Sequence, residues 1–347
     1  MEKQQVIIIG GGLSGLTLAY LLEQKNYDIT LIEASPRLGG RIQTVIGALG
    51  TPMELGATWF SEDHIQLLSL LAKLGHKKYE QYTKGVSLFQ TNKFEPPQEF
   101  SVPEAESPSY RIVGGSERLI DRLKEKLLQT KILLNTKVED ISIDQNDLMI
   151  KTNHSTIRCA KVIICMPPQL AASIQLPNQI PNSLFTLLPT VQTWMAGSIK
   201  FTVEYERPFW REKGFSGMLY SHAEIIAEMY DHTNFEENKF GFTGFLNGRF
   251  AAFNQEIRKS AVLSQLSKLF SQEALEPTSY FDKVWNDEYI IHDSKIIERP
   301  HQNNGHPLLQ ESYLDGKLFF SGTETSTQFS GYMEGAIRSA ISVAEKF

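Results

Sequence analysis

A chain of 347 residues is long enough for two domains and a large buried core. With 41% hydrophobic and 21% charged residues it has the composition of an ordinary globular protein, which excludes a disordered one. A formal net charge of -6 without a basic block argues against nucleic-acid partners, and no apolar run approaches a membrane span.

An apolar strand, Val6-Ile7-Ile8-Ile9, begins almost at once. That leaves no room for a signal peptide and sets the expectation of a cytoplasmic protein. The strand runs into Gly10-Gly11-Gly12-Leu13-Ser14-Gly15, followed by a helical pattern and a second strand, Ile29 to Ile32, that ends on Glu33. Strand, glycine turn, helix and acid stand in the order of a dinucleotide fingerprint. Gly10 permits the tight turn, Gly12 lets the backbone approach a pyrophosphate, and Gly15 lets helix and strand pack closely. The helix end, at Ser14, presents free N–H groups to the phosphates. Glu33 is placed to accept ribose hydroxyls, which favours NAD or FAD over NADP. Next comes Gly39-Gly40-Arg41, two residues of bare backbone and a forked cation beside a bulky cofactor.

Apolar residues at helical spacing from Asp63 to Gly75 predict a helix closed by that glycine. The stretch from about Thr91 to Ser109 carries four prolines and reads as a loop or lid. Gly114-Gly115-Ser116 opens another helix with Ser116 as its N-cap. Strands are expected over 138–143, 148–151 and 161–165. Cys159 and Cys165 flank the last of these, suit neither a disulfide nor a metal site, and read as buried small hydrophobes. No His, Cys and acid cluster has ligand spacing, so no metal is expected. A fresh strand, 197–204, opens an antiparallel sheet, with Ile199, Phe201 and Val203 inward and Lys200, Thr202 and Glu204 the other way. Segments 224–230 and 241–246 continue it, 263–270 reads as a helix, and 279–285 as another strand. Finally a strand, 317–321, enters Gly322-Thr323-Glu324, and a last helix starts near Gly331-Tyr332-Met333. Glu324 can accept hydrogen bonds from cofactor hydroxyls, and the helix aims its positive end at something electron-rich.

Taken together, Leu38 to Arg41, Glu54-Leu55-Gly56-Ala57-Thr58-Trp59 and the block from Gly322 to Ala336 resemble the flavin-containing amine oxidases, the monoamine and polyamine oxidase family of the protoporphyrinogen oxidase superfamily. The resemblance implies an α/β fold, an FAD-binding Rossmann-like domain (1–80, 111–190 and 290–347) with a smaller antiparallel-sheet substrate domain (81–110 and 191–289). It implies that Gly56, Ala57, Thr58 and Trp59 lie beside the isoalloxazine, that the backbone of Val138 holds the adenine edge, and that Gly322, Thr323, Glu324, Gly331, Tyr332 and Met333 complete the cofactor site. Lys200 matches the family's lysine near flavin N5; the alternative is a solvated lysine on the polar face of a strand. Tyr332 matches one wall of an aromatic cage that aligns an amine.

The chain departs from the family after Trp285, where residues 286–294 lack the glycine-rich turn, the second cage aromatic and any cysteine. FAD is therefore expected to be noncovalent. Trp285 is read either as flanking the flavin or as core, and His292 as either a substrate contact or solvated. The chain is also short for the family, with a proline-marked loop where a helical substrate lobe is usual. The reading is an FAD-dependent oxidoreductase that takes a small-molecule amine and O2. A relative acting on a non-amine substrate, as a desaturase or nicotinamide-isomer oxidase, stays open, as does a non-catalytic scaffold of the same fold.

Overall fold

A computed structural model describes residues 3–103, 108–286 and 299–347. The short apolar runs of the sequence are assembled into a six-stranded sheet. Its order is Ser312–Tyr313, Leu318–Phe320, Lys161–Ile164, Gln5–Ile9, Asp28–Ile32, Lys131–Leu133. Every neighbouring pair is parallel except the one at the Ser312–Tyr313 edge. Near-continuous apolar strands are what a parallel sheet covered on both faces requires. The first strand shows the division: Val6 and Ile8 enter the core beneath the helices Leu13–Glu23 and Met333–Ala344. Ile7 and Ile9 enter a second core on the opposite face. That face is covered in part by an antiparallel meander, Val138–Asp144, Asp147–Thr152 and Thr156–Cys159, through Ile141 and Ile150.

The other large sheet has seven strands, in the order Ser279–Val284, Ile199–Tyr205, Phe240–Leu246, Ile226–Asp231, Phe215–Ser221, Val86–Gln90, Gln98–Ser101. It is antiparallel apart from the pairing of Phe215–Ser221 with Val86–Gln90. The proline-marked stretch is thus not all loop, since Gln98–Ser101 forms the sheet edge. Its prolines flank the strand, where they remove no ladder hydrogen bond.

The Ile199–Tyr205 strand is buried along its whole length. Phe201 and Val203 pack with Val262 and Leu266 of the helix Gln255–Leu269. The solvated reading of the opposite face does not hold. Lys200 is 2% exposed and Glu204 fully buried. Glu204 is satisfied by the backbone N–H groups of Leu49 and Thr51 and by the Ser279 hydroxyl. This face is turned inward because the 44–59 segment lies against it: Thr243 donates to the Glu54 carbonyl at 3.1 Å, and Lys200 to that of Gly56 at 2.7 Å.

The helix read over 63–75 spans Ile65–Leu74 and ends on Gly75 at φ 75°, the left-handed stop that glycine adopts without a Cβ penalty. Its start is closed from far along the chain. The buried Glu334 carboxylate accepts the N–H groups of Gln66 (3.2 Å) and Leu67 (2.8 Å) and pairs with Arg338. Ser116 stands at the start of Glu117–Lys126 as expected, but its hydroxyl does not cap the helix. Its backbone N–H instead donates to the buried Glu54 carboxylate, which also accepts from Thr44. The helix read over 263–270 is longer, Gln255–Leu269, because Asn254 caps it by accepting the N–H of Ile257 at 3.0 Å.

Candidate active site

Where the parallel sheet ends its strands, a cavity of about 420 Å³ opens between the N- and C-terminal motifs. The carboxyl ends of parallel strands are the usual place for ligands in open α/β sheets. Gly10 makes the turn at φ 111°, and a Cβ there would lie 2.4 Å from the Cys165 carbonyl oxygen. Gly15 lets the helix close onto the turn. Gly12 and Gly40 meet with no side chain between them, a Cβ on Gly40 falling 3.2 Å from the Gly12 Cα. Arg37 holds this second turn, its guanidinium donating to the carbonyls of Leu38, Gly40 and Ile42. The Leu13–Glu23 helix has no side-chain cap at its start, so its N–H groups and positive dipole end face the cavity, the arrangement that binds phosphate.

Gly10, Gly12, Ser14, Glu33, Gly39, Gly40 and Arg41 border this cavity, as do Ala57, Val138, Gly322, Thr323, Gly331, Tyr332 and Met333. Glu33 is braced by the N–H groups of Gly11 (2.7 Å) and Ser35 (2.8 Å). Val138 stands at the start of its strand. Serine hydroxyls bind the two ends of the chain together: Ser14 meets Ser321 at 2.8 Å, Ser321 meets Ser339 at 3.1 Å, and Ser339 accepts the N–H of Gly322 at 3.1 Å. No side chain caps the Met333–Ala344 helix. Its first-turn acid, Glu334, is turned to the neighbouring helix, so that the helix start at the cavity wall keeps its positive character.

Other predicted residues stand behind the wall. Glu324 is completely buried, and both its oxygens are engaged by Arg41, at 2.5 and 3.0 Å. Gly56 approaches the backbone of residues 41–43 so closely that a Cβ would fall 2.3 Å from the Arg41 carbonyl oxygen. Thr58 donates to the Gly56 carbonyl and accepts from Lys200. Lys200 thus sits directly beneath the Gly56–Trp59 turn whose Ala57 borders the cavity. Its ammonium also lies over the Trp59 ring, 4.4 Å from the centroid. Burial pushes this lysine down to about 7, against the opposing pull of the Glu54 carboxylate; burial in turn raises Glu54. Trp285 does not border the cavity. It is buried and donates its indole N–H to the Leu55 carbonyl at 2.7 Å, so it supports the Glu54–Trp59 segment from behind.

Tyr332 is half-exposed, and among the described residues its nearest ring is Trp194, 4.7 Å away at 41°. His64 approaches its edge at 5.5 Å. Trp194 was not anticipated; its signal was Gly331, where a Cβ would strike the indole at 2.8 Å. His292 and the rest of 287–298 lie outside the described residues. Cys165 does more than fill core, since it also borders the cavity beside Gly10. Burial pushes its thiol up, and that of Cys159 up to about 12. Among the described residues no helix is long and apolar enough to cross a membrane.

A cavity with bare-backbone turns at one end and two uncapped helix starts in its wall defines a dinucleotide-binding oxidoreductase fold. A profile of the family described as flavin containing amine oxidoreductase matches residues 13–99 and 87–346, and the chain belongs to that family. Among its relatives is a probable flavin-containing monoamine oxidase A of Dictyostelium discoideum, 24% identical over 98% of this chain and 96% of the relative. That alignment runs over 446 residues, so it passes stretches of the relative with no counterpart in a chain of 347. The dog flavin-containing amine oxidase A is 25% identical over 96% of this chain and 82% of its own. In architecture, a putrescine oxidase bound to putrescine superposes with a TM-score of 0.84 at 20% identity, covering 99% of this chain and 98% of that one. Cyclohexylamine oxidase from Brevibacterium oxydans gives 0.83 at 20% identity, over 99% of both chains. The fold is accordingly α/β, a Rossmann-like FAD-binding unit with an antiparallel substrate sheet, and the protein is an FAD-dependent oxidoreductase.

Proposed function

We propose that this chain oxidises an amine with noncovalently bound FAD and returns the electrons to O2. In this reading residues 1–80, 111–190 and 290–347 bind the cofactor, and 81–110 with 191–289 form the substrate side. The observation that carries it is the position of Lys200, a buried ammonium held against the turn, Gly56 to Thr58, that walls the cavity. The residues fit a flavin dinucleotide in a testable sense: at Gly12 and Gly40 only backbone faces backbone, and a side chain at either would enter the space a pyrophosphate needs.

The chemistry that FAD supplies when bound is acceptance of a hydride from the carbon next to nitrogen and delivery of two electrons to O2 as hydrogen peroxide, the imine being hydrolysed. The chain supplies binding and electrostatics. Glu33 is positioned to accept the ribose hydroxyls, and the Gly10–Gly15 turn with the start of Leu13–Glu23 neutralises the pyrophosphate. Val138 offers backbone to the adenine edge. The start of Met333–Ala344 favours negative charge where reduction places it. Arg41, fixed by Glu324, keeps a forked cation at the same wall. Lys200 holds a proton on Nζ beside that wall, and a positioned cation favours electron transfer to O2. Cys159 and Cys165, with protonated buried thiols, are unsuited to forming a flavin bond.

The test is direct. The purified protein is expected to be yellow, to lose its colour to the filtrate after denaturation, to bleach anaerobically with an amine and to release peroxide in air. Colour retained on the polypeptide would overturn noncovalent binding. A yellow protein bleached by no amine would overturn amine oxidation and favour a related flavoenzyme with another substrate.

A further inference from the structure

Lys200 owes its burial on one side to a single ring. Two of the three donors of its ammonium are taken by the Gly56 carbonyl and the Thr58 hydroxyl. The same nitrogen lies 4.4 Å from the ring centroid of Trp59 and 5.3 Å from that of Phe245. Phe245 is fixed by the ladder of its strand. Trp59 belongs to no strand or helix and is half-buried, so its ring stands between the lysine and the surface.

What holds Trp59 is a side chain from another segment. Its indole N–H donates to the Gln81 Oε1 at 2.8 Å. Gln81 is buried, and its amide nitrogen donates to the carbonyls of Asp231 (2.7 Å) and Tyr82 (3.2 Å). With both amide protons used, the oxygen is the end that faces the indole, which can only donate. The anchor is firm. Asp231 ends the strand Ile226–Asp231, its carboxylate is held by Arg211 and Trp210, and its carbonyl also accepts from Arg111 at 3.3 Å.

Resting on the role given to Lys200 above, we propose that Gln81 is a positioning residue. By fixing the Trp59 indole as a cover over the Lys200 ammonium, it keeps bulk water from the group that favours electron transfer to O2. The direction of its effect follows from two magnitudes. Burial is the largest influence on Lys200 and lowers it from 10.5 to about 7, on the order of 1,000-fold in proton affinity. A ring face over an ammonium returns at most about 30-fold. Releasing the ring therefore admits water and raises the lysine, even though a cation–ring contact is lost. The other charged and titratable groups around it are Glu54 and Glu228, which favour its proton, Arg111, which opposes it, and His232, held neutral by burial. Lys283, opposite Lys200 in the next strand, reaches Gln43 instead. None of these five is changed in the variants below.

The experiment reduces the bound flavin with dithionite, so that no amine is needed, and follows reoxidation by stopped flow as a function of pH. Wild type is expected to slow through a step near 7 as pH rises, and Gln81→Leu to move that step up by about one pH unit or more. Gln81→Leu also strips a donor from the Asp231 and Tyr82 carbonyls. Trp59→Phe tests the cover without touching them and is expected to move the step the same way. Gln81→Leu added to Trp59→Phe is expected to move it no further, since Gln81 acts through the indole N–H. A second readout uses the flavin-free protein. There the pH window in which the lysine-bearing parent gains stability over its Lys200→Met variant is expected to begin about one pH unit higher once Gln81 is replaced by leucine. An unmoved step or window in Gln81→Leu, or a further shift of the same size in the Trp59→Phe background, overturns the assignment. If wild-type reoxidation shows no step, the oxygen role of Lys200 falls, and the flavin-free window alone decides whether Gln81 holds the cover.

Discussion

The cofactor cavity and the substrate face of the seven-stranded sheet are built by opposite means. At the cavity the decisive atoms are backbone, exposed by glycines at Gly10, Gly12, Gly39 and Gly40 and aimed by two helix starts. On the sheet the groups turned inward are side chains, Lys200, Phe245 and Tyr230, delivered from three strands and covered by Trp59 from another segment. A site made of backbone tolerates little change because each glycine answers a steric demand. A site made of side chains is changed one residue at a time, which lets one fold serve many substrates.

The sharpest way to break this contrast lies in the first glycine turn, where two glycines three residues apart do different work. A Cβ at Gly15 would fall 2.0 Å from the Gly10 carbonyl oxygen, so Gly15→Ala forces the helix off the turn. It is expected to cost about 3 kcal/mol, read as a large drop in melting temperature whether or not flavin is added. At Gly12, φ is −77° and the nearest atom to a Cβ is the Gly40 Cα at 3.9 Å. Gly12→Ala is expected to keep the flavin-free protein within about 0.5 kcal/mol of wild type while its flavin content collapses. Equal melting losses for the two variants would show that both glycines serve only the fold.

Lys200 tests the boundary between the two regions. Lys200→Met is expected to slow flavin reoxidation about 100-fold and reduction by much less, in stopped-flow measurements of each half-reaction. With its ammonium pushed down to about 7, wild-type reoxidation is expected to fall as pH rises through that value, and the methionine variant to show no such step. Stability carries the opposite sign. The folded pKa is below the unfolded one, so between about pH 7 and pH 10 the unfolded chain binds the extra proton. Wild type is therefore expected to gain on Lys200→Met as pH rises across that window, by at most about 1.4 kcal/mol per pH unit. A stability difference flat in pH would mean that the lysine keeps its ordinary proton affinity despite burial.

How much was legible in the sequence follows the same division. Gly10 to Gly15, Glu33 and the Gly322–Gly335 block could be read because strand, turn and helix are adjacent in the chain and the turn demands glycine. Lys200 was found by resemblance, but its alternating strand pattern pointed to a solvated face. What buries it is the Glu54–Trp59 segment, and no local period records that contact. The pairing of Arg41 with Glu324, the closing of Ile65–Leu74 by Glu334, and the packing of Trp194 on Tyr332 all join distant segments. The strand at Gln98–Ser101 was hidden among prolines because an edge strand tolerates them beside it.

The smallest expected effect concerns how the two ends of the chain are kept in one site. Ser339 holds three partners, the Gly322 N–H and the hydroxyls of Ser321 and Thr325, and Ser321 passes the connection to Ser14. Ser14→Ala removes one hydroxyl contact and is expected to cost about 1 kcal/mol, whereas Ser339→Ala leaves a buried N–H and two hydroxyls short of a partner and is expected to cost about 2 kcal/mol. Since both act through Ser321, the double variant is expected to fall short of the sum by at least about 0.5 kcal/mol, measured by urea unfolding of the flavin-free protein. Strict additivity would mean that the glycine turn at residues 10–15 and the strand end at Gly322 are held by their separate cores, and that the serines only fill space between them.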